Sequence, residues 1–342
     1  MTNGVTLVEL AAQLGLSKTT VADALAGSGR VATSTQERVR RAADRAGYAP
    51  NRAARTLRRG TTATLGLYFP PAGRSLAFYM DFTFGAAEAA AEGDQDLTIL
   101  TQVHRSNRRP ALDGVVAVDA RPGDPMIEQL VASRAPMVAA GRLPGEQQGR
   151  AAVIEIDHRR MATQMFDHLH AQGAHQVVFV APDESFDSAW SGDIRLAYRA
   201  WCRRSGLQSC LRRVAVAPRL ATLQRLIDDT VVPRLRPEAP IGVVFAAQSL
   251  AGRALPILLS QGLRVPTDCV IGGLVGDPVE RHSPLISTLD LRARQFGRQA
   301  VRLLLSMAAG TAHPGDRVEH GAVLIGSAPG AGVAAVVDPH GG

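Results

Sequence analysis

The spacing of hydrophobic residues changes near residue 64 of the chain. Beyond this point, short runs of Val, Ile, Leu and Ala alternate with amphipathic stretches, a pattern typical of buried strands separated by helices. The predicted strands are residues 64–69, 97–101, 114–118, 136–140, 152–156, 176–181, 213–216, 241–246 and 268–274. The predicted helices are residues 80–93, 125–134, 158–172, 193–205, 220–235, 248–262 and 291–309. This alternation predicts an α/β fold with doubly wound parallel strands, although the spacing is compatible with one sheet or two.

The first part of the chain follows the helical period instead and predicts a small all-α unit of three short helices. Thr6 is placed to cap the first helix, Gly15 to form the tight turn after it, and Ser17 to cap the second. Thr33 or Ser34 is expected to cap the third helix. This arrangement is typical of a helix-turn-helix domain, whose second helix enters the major groove of DNA.

Nearly all of the net charge lies in the same part of the sequence. Residues 1–60 contain ten Lys and Arg residues against four Asp and Glu residues, whereas the whole chain has a net charge of +7. Because counterion release at phosphates supplies much of the affinity for nucleic acid, this distribution predicts a double-stranded DNA partner.

Residues 49–61 form a short basic segment between the two patterns. Asn51 can cap a helix there, and Arg52 and Arg55 contribute to its positive charge. Such a helix is too short to be stable alone in water. We therefore expect it to become ordered against its twin over a minor groove, with Leu57 as an apolar wedge between base steps.

Other features exclude several classes of protein. The N-terminus lacks a secretory leader pattern, and no run approaches the about eighteen apolar residues of a membrane span, so we expect a cytoplasmic protein without a membrane partner. Cys202, Cys210 and Cys269 lack metal-ligand spacing and are expected to be reduced, mostly buried thiols. No phosphate-binding loop or nucleophile elbow occurs, and we predict no cofactor and no catalytic site.

The remaining polar residues do not predict a metal site either. His168 and His170 would face different sides of a helix. His158, His175 and His282 have no cysteine or carboxylate at ligand spacing. The carboxylates of Asp183, Glu184 and Asp187 cluster in a loop and are expected to be solvated.

Three N-terminal segments together resemble the LacI/GalR family of bacterial transcription regulators. They are residues 5–11 (VTLVELA), 15–21 (GLSKTTV) and 47–57 (GYAPNRAARTL). The similarity continues to about residue 328, through the segments 65–67, 112–116, 169–173, 195–197, 261–266 and 284–289. The resemblance implies a DNA-binding transcription regulator. The form that it favours is a homodimeric repressor of a pseudo-palindromic operator.

The resemblance also implies a domain organisation, in which two doubly wound parallel-sheet subdomains of the periplasmic-binding-protein-like type enclose an effector cleft and are joined by three crossings. In order, it implies a helix-turn-helix domain at 1–48, a hinge helix at 49–61, an effector-binding and dimerisation domain at 62–328, and a disordered tail at 329–342. The N-subdomain would cover about 62–157 and 288–315, and the C-subdomain about 158–287 and 316–328.

The DNA contacts implied by the resemblance are Thr6, Ser17, Lys18, Thr19, Thr20, Asp23, Asn51, Arg52, Arg55 and Leu57. Lys18, Thr19 and Asp23 correspond to base-reading positions. Ser17, Thr20 and Asn51 correspond to phosphate contacts, and Leu57 corresponds to the side chain that inserts between base steps in the minor groove.

Ala22 and Asp23 depart from the family, which usually has Ser followed by Arg or His at these two positions. An aspartate cannot donate a hydrogen bond to guanine, but it can accept one from N4 of cytosine. We therefore predict an operator whose major-groove bases differ from the usual half-site of the family.

The effector contacts implied by the resemblance are Tyr79, Asp119, Arg142, Arg195, Ala246 and Leu274. Arg195 corresponds to the family's most characteristic effector-binding arginine. Three polar groups of the family pattern are replaced, by Ala246-Ala247, by Leu274-Val275 and by Arg142. A site that lacks partners for sugar hydroxyls discriminates poorly. The sequence thus favours a more apolar ligand, or an anionic one that contacts Arg195 and Arg142, or no effector.

Two other functions stay open at this point. One is a DNA-binding regulator that responds to a protein partner or to no effector. The other is a cytosolic small-molecule-binding protein or an enzyme that uses the cleft, which the lack of a leader and of a catalytic constellation disfavours. Residues 102–112 are also shorter than the helix that the family usually has here, so we predict a loop and a thinner outer face.

Overall fold

The computed structural model describes residues 5–27, 30–48, 61–71, 76–101, 111–186 and 188–327. The chain divides into an N-terminal unit that ends at Thr62 and a C-terminal unit that begins at Ala63. Several predictions lie outside the described residues: the hinge contacts Asn51, Arg52, Arg55 and Leu57, most of the shortened loop, Asp187, and the C-terminal tail.

The N-terminal unit contains the three predicted helices, α1 (Leu7–Leu14), α2 (Lys18–Ala26) and α3 (Thr33–Arg45). Thr6 caps α1 as predicted, because its Oγ1 accepts a hydrogen bond from the backbone N–H of Glu9 at 3.3 Å. The Glu9 carboxylate accepts one in return from the N–H of Thr6 at 2.7 Å. The predicted cap of α3 is wrong: the helix begins after Ala32, whose side chain has no group that can accept a hydrogen bond.

A small core holds this unit together. Its buried side chains are Leu10, Ala11, Val21, Ala24, Val39 and Ala43. Three of the six are alanines, so Leu10, Val21 and Val39 are the larger side chains that this core buries completely. The predicted inward positions Ala42 and Ala46 are partly buried against this core.

The C-terminal unit contains two six-stranded sheets. The strands of the first sheet are all parallel and lie in the order β11 (Arg317–Glu319), β5 (Ala152–Glu155), β4 (Met137–Ala140), β3 (Gly114–Val118), β1 (Thr64–Tyr68) and β2 (Asp96–Ile99). Its helices are α4 (Ala77–Glu92), α5 (Pro125–Ser133) and α11 (Ala293–Ala308). α4 and α11 cover one face and α5 covers the other.

The second sheet has the order β12 (Val323–Ile325), β10 (Ile286–Asp290), β9 (Cys269–Gly273), β8 (Ile241–Phe245), β6 (Val177–Pro182) and β7 (Cys210–Val214). Its helices are α6 (His158–Ala171), α7 (Ala189–Ser205), α8 (Leu220–Leu226), α9 (Leu250–Ser260) and α10 (Pro278–His282). All neighbouring strands are parallel except β12, which is antiparallel to β10. The structure therefore confirms two doubly wound subdomains.

The chain crosses between the two sheets three times, after β5, after β10 and after β11. The predicted boundaries near the C-terminus differ from these crossings. β10 belongs to the second sheet up to Asp290, so the N-subdomain resumes later than residue 288. β11 pairs with β5 of the first sheet, so residues 317–319 do not belong to the C-subdomain.

Two further predictions are corrected. The predicted helix at 220–235 is regular only to Leu226; a π-helical turn and a 3-10 turn follow, where Pro233 lacks a backbone N–H to donate. The strand predicted at 213–216 begins earlier, at Cys210. All three cysteines are buried free thiols, as predicted.

The backbones of α4 and α11 approach each other closely at two glycines. A Cβ atom on Gly85 would lie 1.8 Å from the carbonyl oxygen of Arg294, and one on Gly297 would lie 2.0 Å from the carbonyl oxygen of Phe82. Only glycine fits at these two positions. The same helix pair is joined at its surface by ion pairs from Glu88 to Arg294 and Arg298.

Candidate functional site

The turn between α1 and α2 presents the first residues of α2 to solvent. Gly15 ends α1 with φ +64°, in the left-handed region that favours glycine. The Ser17 Oγ then accepts a hydrogen bond from the backbone N–H of Thr20 at 3.0 Å, which confirms Ser17 as the cap of α2. Lys18 and Thr19 follow and are exposed.

Six of the predicted DNA contacts lie in the described part of the chain, and four of them are exposed. Thr6, Ser17, Lys18 and Thr19 are exposed, whereas Thr20 and Asp23 are half-buried. The Ser17 Oγ and the Thr20 Oγ1 are 2.7 Å apart, so these two predicted phosphate contacts adjoin each other. The four predicted hinge contacts are not described.

A second candidate site lies between the two sheets of the C-terminal unit, and we call it the ligand cleft. It encloses about 50 Å³. The residues that line it at the carboxyl ends of strands are Val118, Asp119, Ala140, Gly141, Ile156, Ala246, Ala247, Gln248, Val275 and Leu291. The residues that line it near the beginnings of helices include Phe78, Tyr79, His158, Met161, Trp190 and Ile194. Ligands of open parallel sheets bind at such strand ends.

Three of the six predicted effector contacts line the ligand cleft, namely Tyr79, Asp119 and Ala246. The other three lie outside its lining. Arg142 pairs with Asp193, the Arg195 Nη1 donates a hydrogen bond to the Ser191 Oγ at 3.2 Å, and Leu274 is fully buried in the hydrophobic core.

Tyr79 and Asp119 form one polar pair in the ligand cleft. The tyrosine hydroxyl donates a hydrogen bond to the Asp119 Oδ2 at 2.6 Å. Burial raises the pKa of Tyr79 well above its ordinary value, with a further contribution from the Asp119 charge. Burial also raises the pKa of Asp119 to about 6, although the Tyr79 hydrogen bond and the nearby Arg121 oppose this rise.

Sequence reasoning missed His158, Trp190 and Gln248. His158 is the first residue of α6, directly after the Asp157 cap, and its ring lies 6.0 Å from that of Trp190. Burial lowers the pKa of His158 to about 4, so the imidazole is neutral at pH 7. The position of His158 in the sequence could have indicated its role, because it follows a strand at the sheet edge where ligands bind.

Contacts between the two subdomains close the ligand cleft. The Gln248 Oε1 accepts a hydrogen bond from the backbone N–H of Phe78 at 3.0 Å. The Arg121 guanidinium lies over the Phe186 ring, 4.9 Å from its centre. The ion pair of Arg142 with Asp193 also connects the two sides.

Among the described residues, no three His, Cys, Asp or Glu side chains are grouped so as to hold a metal ion. Of the predicted acidic loop cluster, Glu184 is exposed and pairs with Arg213 at 2.9 Å. Within the same described ranges, no helix is long and apolar enough to cross a membrane.

Two protein-family profiles match the chain. That of the lacI family of bacterial regulatory proteins matches residues 6–51, and that of a periplasmic binding protein-like domain matches residues 166–326. The first covers the helix-turn-helix and the second covers most of the second sheet with its helices.

The chain is 28% identical over 325 residues to the HTH-type transcriptional regulator CelR of Thermobifida fusca, and the aligned region covers 89% of this chain and 92% of CelR. It is 25% identical over 322 residues to the HTH-type transcriptional repressor CytR of Escherichia coli K12, and this aligned region covers 89% of this chain and 90% of CytR. Both relatives are transcription regulators.

Solved structures share the fold. The Lac repressor dimer bound to operator and the anti-inducer ONPF matches with a TM-score of 0.76 and 18% identity, over 96% of this chain and 100% of that chain. The complex of CelR with cellobiose matches with a TM-score of 0.64 and 23% identity, over 94% of this chain and 98% of that chain.

Proposed function

The chain belongs to the LacI family of bacterial regulatory proteins and is a DNA-binding transcription regulator, and from this we propose that it is a homodimeric repressor whose affinity for a pseudo-palindromic operator is controlled by a small molecule in the ligand cleft. The observation that carries the proposal is the exposed start of α2. A capped helix that presents Lys18 and Thr19 after a glycine turn has the geometry needed to reach base edges and phosphates in a major groove.

Control by a small molecule is supported by the contacts that close the ligand cleft. A ligand can shift the equilibrium between two shapes only if it interacts differently with each of them. Arg142–Asp193 and Phe78–Gln248 join the two subdomains, so a molecule that enters between them competes with these contacts. The solved structure of CelR is a complex with cellobiose, so a protein with this fold binds a small molecule.

The test is a gel shift with the DNA upstream of the protein's own gene, at two salt concentrations. We expect a complex that survives an excess of unrelated DNA of the same length, because specific complexes are typically at least about 10³-fold tighter than non-specific ones. Equal affinity for both DNAs at each salt concentration would contradict a sequence-specific regulator.

We propose that a second copy of this chain covers an apolar surface on the first subdomain. Met80 and Phe84 are one turn apart on α4 and are 56% and 53% exposed, and Ile99 on the edge strand β2 is 45% exposed. We call these three residues the dimer surface. Exposed patches of large apolar side chains often mark protein interfaces, and the Lac repressor with the same fold is a dimer.

Phe84→Glu is expected to convert the protein to a monomer and to weaken operator binding at least about 30-fold, because an aromatic hot spot at an interface contributes about 2 kcal/mol or more and a buried unpaired charge adds a penalty. Sedimentation velocity measures the first effect and a gel shift the second. Leu196→Glu on α7, where the leucine is 52% exposed, is the matched control and should leave the dimer intact. Dimers that persist in Phe84→Glu at micromolar concentration would exclude the dimer surface as the interface.

Asp23 is expected to select cytosine in each half-site. Selection from random DNA should return a half-site that differs from the one usual in the family. Asp23→Ala should reduce discrimination at one base pair by about 5- to 150-fold, in line with a base contact of about 1–3 kcal/mol. The matched control is Asp44→Ala, which removes the same charge from an exposed position of α3. If the family's usual half-site is recovered, or both variants change specificity equally, Asp23 does not read a base.

A further inference from the structure

Aromatic rings form both walls of the ligand cleft. Phe78, Tyr79 and Phe296 belong to the first subdomain; the ring centres of Phe78 and Tyr79 are 5.3 Å apart and those of Phe78 and Phe296 are 6.5 Å apart. On the opposite wall, the Trp190 ring lies 6.0 Å from that of His158. A flat ring placed between these walls can contact aromatic surface on both sides, in the offset or edge-to-face arrangements that such rings prefer.

Few polar atoms face this space, and most of them already have partners. Asp119 accepts the hydrogen bond of Tyr79, and the Gln248 Oε1 accepts that of the Phe78 N–H. His158 differs from them, because its side chain lines the cleft while its Nδ1 is buried and has no hydrogen-bond partner among the described residues. A buried polar atom without a partner costs free energy, so a ligand that supplies one here gains affinity.

The charges of the ligand cleft disfavour an anionic ligand. Arg142 and Arg195, the two cations that the sequence placed here, lie outside the lining, where they interact with Asp193 and Ser191. Asp119 is the acidic side chain of the lining, with a pKa of about 6, so it is mostly charged at pH 7 and would repel an anion, although the nearby Arg121 offsets part of this charge. A sugar with many hydroxyls would meet a mainly apolar surface and lose its hydrogen bonds to water.

The enclosed volume limits the size of the ligand. The cleft encloses about 50 Å³, whereas an engineered apolar cavity that binds benzene measures about 150 Å³. Even one aromatic ring must therefore widen the cleft against the contacts that close it. A disaccharide, which is several times larger, would require a much wider opening.

We propose that the effector is a neutral molecule with one aromatic ring and one hydroxyl group, which stacks between the two aromatic walls and forms a hydrogen bond with His158. This inference rests on the proposed function, because it identifies the chemical class of the molecule that occupies the same ligand cleft. The neutral imidazole of His158 has one donor and one acceptor nitrogen, and either can pair with a hydroxyl.

The test compares benzyl alcohol with toluene, two ligands of similar shape that differ in the hydroxyl, by isothermal titration calorimetry on the full-length protein. We expect saturable binding of both, with benzyl alcohol bound about 5- to 10-fold more tightly, which corresponds to one hydrogen bond. Benzoate, which adds a charge, and cellobiose should not bind. In His158→Leu the advantage of benzyl alcohol should disappear while toluene still binds.

His313→Leu makes the same change at an exposed histidine that does not line the ligand cleft, and it should retain the advantage of benzyl alcohol. Thermal unfolding of each variant verifies that it is folded. The proposal is overturned if neither aromatic ligand binds, if cellobiose or benzoate binds instead, or if benzyl alcohol keeps its advantage in folded His158→Leu.

A parallel gel shift separates this proposal from the proposed function. If benzyl alcohol binds in the predicted way but leaves the operator complex intact, the ligand class is correct and effector control of DNA binding is wrong. If cellobiose releases DNA and benzyl alcohol does not bind, effector control is correct and the ligand class is wrong.

Discussion

Leu10→Ala is expected to unfold the N-terminal unit and to weaken operator binding more than 100-fold, while the C-terminal unit keeps its melting temperature. Leu10 is completely buried, and three of the five other buried side chains of this core are alanines, which cannot fill the space that the leucine leaves. Truncations of this kind cost about 2–5 kcal/mol. Units of this size are marginal in stability, so this cost is comparable to the whole free energy of unfolding.

Differential scanning calorimetry measures the two transitions, and a gel shift measures DNA binding. The control is Val8→Ala on the same helix, where the side chain is 59% exposed and its truncation removes little buried surface. We expect Val8→Ala to retain both transitions and operator binding. If Leu10→Ala binds operator normally, DNA binding does not require the folded N-terminal unit. If both transitions are lost together, the N-terminal unit does not unfold independently of the C-terminal unit.

The N-terminal helices could be predicted from the sequence because their signals are local. The Thr6 cap and the Ser17 cap each involve residues three positions apart, and the structure confirms both. The cap of α3 could not be predicted in the same way. Thr33 and Ser34 both have suitable side chains, but the chain enters the helix one residue earlier, at Ala32, so Thr33 is already helical.

The central strands were predictable because they are buried on both faces and therefore appear as continuous apolar runs. β3 and β8 contain only buried residues, and both were predicted within one residue. β10 was missed because Ser287 and Thr288 interrupt its apolar pattern, although both are fully buried. β11 was missed because all of its residues are exposed at the sheet edge, which removes the hydrophobic signal.

The ligand cleft could be predicted only in part, because its walls come from segments far apart in sequence. The resemblance to a family identified Tyr79, Asp119 and Ala246, which the structure brings together. It did not identify His158 or Trp190, because their positions depend on how the second sheet packs against the first. No sequence pattern indicated that Arg142 would pair with Asp193 across the cleft.

Gly85→Ala is expected to lower the free energy of unfolding of the C-terminal unit by about 3 kcal/mol or more. The new Cβ would lie 1.8 Å from the carbonyl oxygen of Arg294, and a backbone atom in a helix cannot move aside as a side chain can. α4 and α11 must therefore separate, at the upper end of the 1–3 kcal/mol typical of overpacked cores. Because α4 carries Tyr79 and Phe84, ligand binding and dimerisation should weaken as well. Chemical denaturation and sedimentation velocity measure these effects.

The matched control is Gly192→Ala in α7, the same substitution within another helix of the same unit. The atom nearest to its new Cβ is the end of the flexible Arg195 side chain, at 3.9 Å, so there is space for the methyl group. Alanine is favoured over glycine inside a helix by about 0.5–1 kcal/mol, so this variant should be slightly more stable than the original protein. The two variants thus have opposite predicted signs although they add the same atom. Equal stabilisation of both would mean that α4 and α11 do not pack with their backbones in contact.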